Sequence, residues 1–283
     1  NLAEVYIGKG LTSIGTAAFM NCYSLSVINL PQSLRSIGDE AFFSCTNIGE
    51  ITLPDKIESL GTAAFAFCTS LSFVDLGGLT YIPDGAFERC ESLVSVNIGD
   101  AVTSIGSRAF NRIANLASVS IGKNVETIGY SAFEGSAWLE SQTEEFVVVG
   151  DGVLLRYTGS GTSVTIPGKI RFISDAFSGN DTLNSVTVGG DVEIIGEYAF
   201  SGCVFLRNVT FDGVESIGAK AFVGCENLIS VSVSKSLKKV GEGAFGGCSS
   251  LATVTYGGSQ RGWDAIEIGD GNTPLTLAQI NFN

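Results

Sequence analysis

The sequence predicts a repeat solenoid, mostly β, whose coils stack to form one parallel sheet. Three observations carry this: a dipeptide that returns at constant spacing, an apolar alternation in phase with it, and a glycine just ahead of it. Ala-Phe recurs with Phe at positions 19, 42, 65, 87, 110, 133, 177, 200, 222 and 245. The interval is 22 or 23 residues except for one of 44, between Phe133 and Phe177, which reads as two repeats with one Ala-Phe turn missing or replaced. Self-similarity at such a period marks stacked units, none of which can bury its apolar face alone.

Alignment on the Phe assigns the rest of each unit. Six residues later comes Leu or a near equivalent, as at Leu25, Ile48, Leu71 and Leu93. Three and five residues further come two more apolar positions, as in Ile28/Leu30, Ile51/Leu53, Val74/Leu76 and Val96/Ile98. Leu2, Val5 and Ile7 bring the chain in on the same register. The period-two ending is that of a half-buried strand, one per coil. Each strand is followed by an apolar residue and Gly, as in SIGTAAF, SIGDEAF and SLGTAAF. Gly15, Gly38, Gly61, Gly106, Gly129, Gly196, Gly218 and Gly241 suit a turn that needs positive φ or a close backbone approach. The Phe is large enough to fill the centre of a coil beneath the next one.

The spacing L-x-x-V-x-I resembles the strand segment of leucine-rich repeats. The longer string IGxxAFxxC followed by LxxVxI is similar to the BspA-like leucine-rich-repeat family of bacterial surface and secreted proteins, over nearly the whole chain. The expected fold class is therefore a leucine-rich-repeat solenoid, a right-handed α/β-type coil, mostly β with short turns or 3-10 helices. It has one parallel sheet, an inserted β-hairpin and a C-terminal β cap. Phe146 to Tyr157 reads as two strands around Gly150-Asp151-Gly152, a hairpin signal, and similar hairpins interrupt repeats in that family. The expected domains are a solenoid over 1–256, with the hairpin insertion at 140–161, and a cap over 257–283. The tail loses the repeat register and resembles the family's cap, with Trp263 and a final strand Ala278 to Phe282 placed to cover the open end.

Composition excludes several function classes. Net charge is −13, and 16 basic residues are scattered among 29 acidic ones, which argues against nucleic acid and anionic lipid as partners. The basic run from Lys235 to Lys239 reads as a solvated loop. There is no histidine, which removes the commonest general base, the commonest zinc ligand and any Ser-His or Cys-His pair. No apolar run reaches the roughly 18 residues of a membrane span, so no direct membrane insertion is expected. No targeting signal is read, and a start at Asn1 rather than Met is expected of a segment from a longer protein.

The seven cysteines, Cys22, Cys45, Cys68, Cys90, Cys203, Cys225 and Cys248, all lie three residues after the repeat Phe, where other repeats carry Ile113, Ser136 and Asn180. A column that accepts Ile and Asn is a packing position rather than a ligand set, so buried free thiols are expected. Glu144/Glu145 reads as a charged loop before the hairpin. Asp151 and Asp270 sit in Gly-Asp-Gly turns without the spacing of a calcium loop. No catalytic residue, metal or cofactor is expected.

The functional clue is the outward face of the strands. Its pairs run Glu4/Tyr6, Val27/Asn29, Glu50/Thr52, Phe73/Asp75, then Ser95/Asn97 and Ser118/Ser120, and later only hydroxyls and amides such as Ser163/Thr165 and Asn208/Thr210. The first eight form the candidate ligand-contact face, because exposed aromatics beside acids are the usual material of recognition. The hydroxyl ladder reads more simply as side chains that suit a flat parallel sheet and bond their neighbours. The family resemblance implies a non-catalytic adhesion module, extracellular or on the cell surface. Its implied partners are a host extracellular matrix protein, a glycoprotein or another bacterial surface macromolecule. A passive spacer is the alternative, and a hydrolase a more distant one.

Overall fold

The structure, a computed structural model, describes residues 2–283 and divides into two compact units, Asn1–Gln142 and Thr143–Asn283. In each unit the chain winds in coils whose equivalent residues pair in parallel from one coil to the next.

In the first unit the expected strands are present as Glu4–Tyr6, Val27–Asn29, Glu50–Thr52, Phe73–Asp75, Ser95–Ile98 and Ser118–Ile121. The expectation of one sheet with one strand per coil is corrected. Ser-Ile ahead of the glycine forms a second parallel ladder, Ser13–Ile14 to Ser36–Ile37 to Ser59–Leu60, and again Tyr81–Ile82 to Ser104–Ile105 to Thr127–Ile128. A two-residue strand leaves no alternation to read. Its backbone groups still need partners, and the neighbouring coil supplies them.

A third ladder lies at the Ala-Phe turn. The N–H groups of Ala17, Phe19 and Asn21 donate to the carbonyls of Asp39, Ala41 and Phe43 in the next coil, each at 2.8 Å. Those of Ala18, Met20 and Cys22 donate within their own coil, to Gly15, Ala17 and Phe19. Left-handed residues stand two before and two after the Phe: Ala17 and Asn21, Glu40 and Ser44, Arg108 and Arg112, Gly243 and Gly247. A non-glycine residue there costs about 1–2 kcal/mol, and three coil-to-coil hydrogen bonds offset it.

The glycines of the Ile-Gly pairs do not supply these left-handed positions. They answer the other need, close approach. A Cβ on Gly61 would sit 2.2 Å from the Asp39 nitrogen, and one on Gly241 2.5 Å from that of Ala219. Gly15, in the first coil, has nothing within 4 Å. Gly61→Ala is therefore expected to lower stability by about 3 kcal/mol, the upper end of ordinary overpacking, because the obstacle is backbone. Gly15→Ala should be near neutral. Guanidinium midpoints of the two variants check this, and equal midpoints would contradict the close approach.

The Phe side chains form the interior column. In the first unit the rings of Phe19, Phe42, Phe65, Phe87, Phe110 and Phe133 stack with centroids 5.0–5.7 Å apart and planes within 11° of parallel. The column closes on Trp138, edge-on to Phe133 at 5.1 Å. Trp138 sits in the one-turn helix Ala137–Glu140, which Ser136 caps.

The second unit opens with the expected hairpin, Phe146–Val149 antiparallel to Val153–Tyr157, turning through Gly150 and Gly152 at positive φ. The hairpin supplies what the 44-residue interval lacks. Val153 and Leu154 pair with Phe172 and Ile173 in the short ladder. Tyr157 takes the Phe station: its N–H donates to Ala176 at 3.2 Å, and its ring lies 4.8 Å from Phe177. From there Phe177, Phe200, Phe222 and Phe245 stack at 4.8–5.2 Å. The outward strands form one six-stranded parallel sheet, from Ser163–Thr165 to Gln279–Phe282.

The tail continues both ladders as a last coil. Glu267–Ile268 joins the short ladder and Gln279–Phe282 the outward sheet. The short helix Thr273–Leu277 stands where the Ala-Phe turn would be, and Asn272 Oδ1 accepts the Phe245 N–H at 2.9 Å in place of a backbone carbonyl. Trp263 packs edge-on to Tyr256 at 5.5 Å.

Candidate interaction face

All eight candidate residues are exposed, and all lie in the first unit. The alternation of each strand turns its middle residue (Val5, Ile28, Ile51, Val74) towards the core and the flanking pair outward. Pairing brings Glu4 beside Val27, Tyr6 beside Asn29, Glu50 beside Phe73, and Thr52 beside Asp75. Two strand pairs result, one setting Glu4/Val27 and Tyr6/Asn29 side by side and the other Glu50/Phe73 and Thr52/Asp75. Tyr6 is 75% exposed, Phe73 51% and Val27 42%, which is unusual for apolar side chains in a regular sheet.

Local bonds orient several of these groups. The Tyr6 hydroxyl donates to Glu4 Oε2 at 3.2 Å, and that hydrogen bond, with the carboxylate charge behind it, raises the Tyr6 pKa. Asn29 Oδ1 accepts the Ile7 N–H at 2.9 Å, and Asp75 Oδ1 the Gly77 N–H at 3.0 Å. Strand pairing is not continuous across this face. The first unit's outward strands pair two by two, whereas those of the second form one sheet. Part of the difference is chemical: Gly122 and Asp212 each donate an N–H to the preceding coil just past their strands, while Pro54 stands at the same place without one.

The second unit's outward face differs in kind. The Ser185 hydroxyl donates to that of Ser163 at 2.8 Å, and the Ser230 hydroxyl to Asn208 Oδ1 at 2.8 Å. These groups bond one another along the stack.

The remaining candidates have local duties. Every cysteine is a free thiol, and all but the half-buried Cys22 are buried. Each of the six buried thiols donates back to the preceding repeat's Phe carbonyl: Cys45 to Phe19, Cys68 to Phe42, Cys90 to Phe65, Cys203 to Phe177, Cys225 to Phe200 and Cys248 to Phe222, at 3.1–3.2 Å. Where Ser136 replaces Cys, its hydroxyl donates to Phe133 and accepts from Leu139. Burial pushes the Cys45 thiol up to about 11 and Cys248 to about 12, and it raises Cys68 and Cys90 as well. Such thiols are poor nucleophiles.

Glu145 accepts from the Tyr157 hydroxyl at 3.4 Å, and the Glu144 carbonyl accepts from Thr158, so both brace the hairpin. Asp151 is held by Arg171 at 2.7 Å, and Arg171 also pairs with Glu193 at 3.1 Å. Among the described residues no group of three acidic or cysteine side chains could hold a metal ion, and no helix is long and apolar enough to cross a membrane.

A family-model match agrees with this architecture. The family model described as the BspA type leucine rich repeat region matches residues 1–111 and 154–263, in six copies. No curated protein matches. Among solved structures, a leucine rich cell surface protein from Faecalibacterium prausnitzii is 26% identical, with 94% of this chain and 91% of that one covered and a TM-score of 0.49. A leucine-rich repeat protein from Bacteroides ovatus is 20% identical over 100% and 84% of the two chains, with a TM-score of 0.47. The pneumococcal vaccine antigen PcpA is 17% identical over 99% and 79%, with a TM-score of 0.44. The ring column, the paired ladders and the repeat match lead to one assignment: this chain belongs to the BspA-type leucine-rich-repeat family.

Proposed function

We propose that this chain is a non-catalytic interaction and adhesion module, displayed on or secreted from a bacterial cell. It binds a host matrix protein, a glycoprotein or another bacterial surface macromolecule through the outward face of its first unit. The observation that carries this reading is the set of exposed Tyr6, Val27 and Phe73 side chains among Glu4, Glu50 and Asp75. Apolar side chains in water cost solubility, and interface energy concentrates on such anchors. Family membership supports the module's class.

The test is binding of the chain to a panel of purified host matrix proteins and glycoproteins, wild type against Tyr6→Ala/Phe73→Ala. Loss of about tenfold or more in affinity is expected for anchors of this kind. Capture at equal affinity by both proteins removes the face from the proposal. A spacer role is favoured for the second unit alone, because its hydroxyls bond one another along the stack.

A further inference from the structure

We infer that the partner presents a basic, Arg- or Lys-rich polypeptide segment to the first unit's outward face, a deepening that rests on the binding role proposed for that face. Three carboxylates lie on it, at Glu4, Glu50 and Asp75, while none of its outward positions from Glu4 to Ser120 is Lys or Arg. The whole chain carries −13. The second unit's outward positions between Ser163 and Thr255 carry no charge, so the complementarity belongs to the first unit.

The apolar neighbours make the site more than a set of acids. The Glu50 carboxylate has no hydrogen bond or ion pair among the described residues, and strand pairing sets it beside the exposed Phe73. A guanidinium can pair with the Glu50 carboxylate through two N–H groups while its plane lies over the Phe73 ring. Among the described residues the Glu4 carboxylate engages only the Tyr6 hydroxyl, and one Asp75 oxygen accepts the Gly77 N–H, so both keep acceptor capacity outward.

The probe is a synthetic 12-residue peptide with Arg at every third position among Gly and Ser, beside its Arg→Gln counterpart. Binding is read by fluorescence polarisation at low and high salt. The Arg peptide should bind saturably, the Gln peptide should not, and Glu50→Gln should weaken binding about tenfold, as loss of one charge-assisted pair does. Glu126→Gln, at an exposed acid outside the outward strands, should change it less than about twofold. Equal loss from Glu126→Gln and Glu50→Gln, or none from Glu50→Gln, overturns the inference. Matrix-panel binding that needs Tyr6 and Phe73 but ignores Glu50→Gln and salt keeps the face and removes the basic partner. Panel binding unaffected by Tyr6→Ala/Phe73→Ala removes the face itself.

Discussion

Phe110→Ala is expected to destabilise the first unit by about 3–5 kcal/mol, the range for deleting a buried aromatic ring from a close-packed core. Phe110 is fully buried, with Phe87 on one side and Phe133 on the other, each 5.4 Å away and nearly parallel. The neighbours cannot close the gap, because the hydrogen-bond ladders on three sides of the coil fix its distance from the next. Two stacked pairs are lost together, each contributing about 0.5–1.5 kcal/mol beyond burial. Guanidinium unfolding followed by circular dichroism gives the size of the loss. Amide exchange shows where it falls, since repeat arrays can unfold in parts. Faster exchange should centre on the coils of Phe87, Phe110 and Phe133. An unchanged midpoint would mean that the ring is not buried.

The second large effect is alkaline. A thiol of ordinary pKa 9.0 is held near 11 at Cys45 and near 12 at Cys248 in the folded chain. Burial raises Cys68 and Cys90 in the same direction, and Cys225 is raised first by its hydrogen bond with the Cys203 thiol and then by burial. The sign follows from proton counting. Above pH 9 the unfolded chain has released these protons and the folded chain still holds them, so stability falls as pH rises. The contribution is complete below pH 9 and is lost between 9 and 11 or 12, at no more than about 1.4 kcal/mol per pH unit for each thiol. Unfolding midpoints from pH 7 to 10.5 should stay level and then drop steeply. A Cys45→Ser/Cys68→Ser/Cys90→Ser variant should lose stability less steeply over the same range. Matching slopes for variant and wild type would assign the alkaline loss to other groups, such as the tyrosines.

The outward strands were legible because alternation at period two survives even in three residues, as in Glu4-Val5-Tyr6. The interior column was legible because Ala-Phe repeats in phase. The short Ser-Ile ladder was not, since two residues carry no period. The left-handed residues were hidden for a different reason: Ala17, Glu40 and Arg108 are not residues that favour that conformation, and only coil-to-coil bonding imposes it. Tyr157 as a substitute for the absent Phe was equally hidden, because FVVVGDGVLLRY reads as a hairpin and nothing in it announces a ring station. On the candidate face, exposure of all eight residues followed directly from alternation. The pairwise break in the ladder did not, although Pro54, with no N–H to donate, is visible in the sequence.

Tyr157 shows how the architecture accommodates change. Its backbone N–H and its ring meet the next coil as a Phe would, although the chain reaches that point by a different route. A coil is thus defined by what it offers its successor, a donor and a flat ring at one height, rather than by its own path. Loops of new sequence can be grafted into such an array wherever those two features are restored. Gene segments encoding whole coils can be gained or dropped on the same condition, which makes the length of the array an evolutionary variable that leaves its joints untouched.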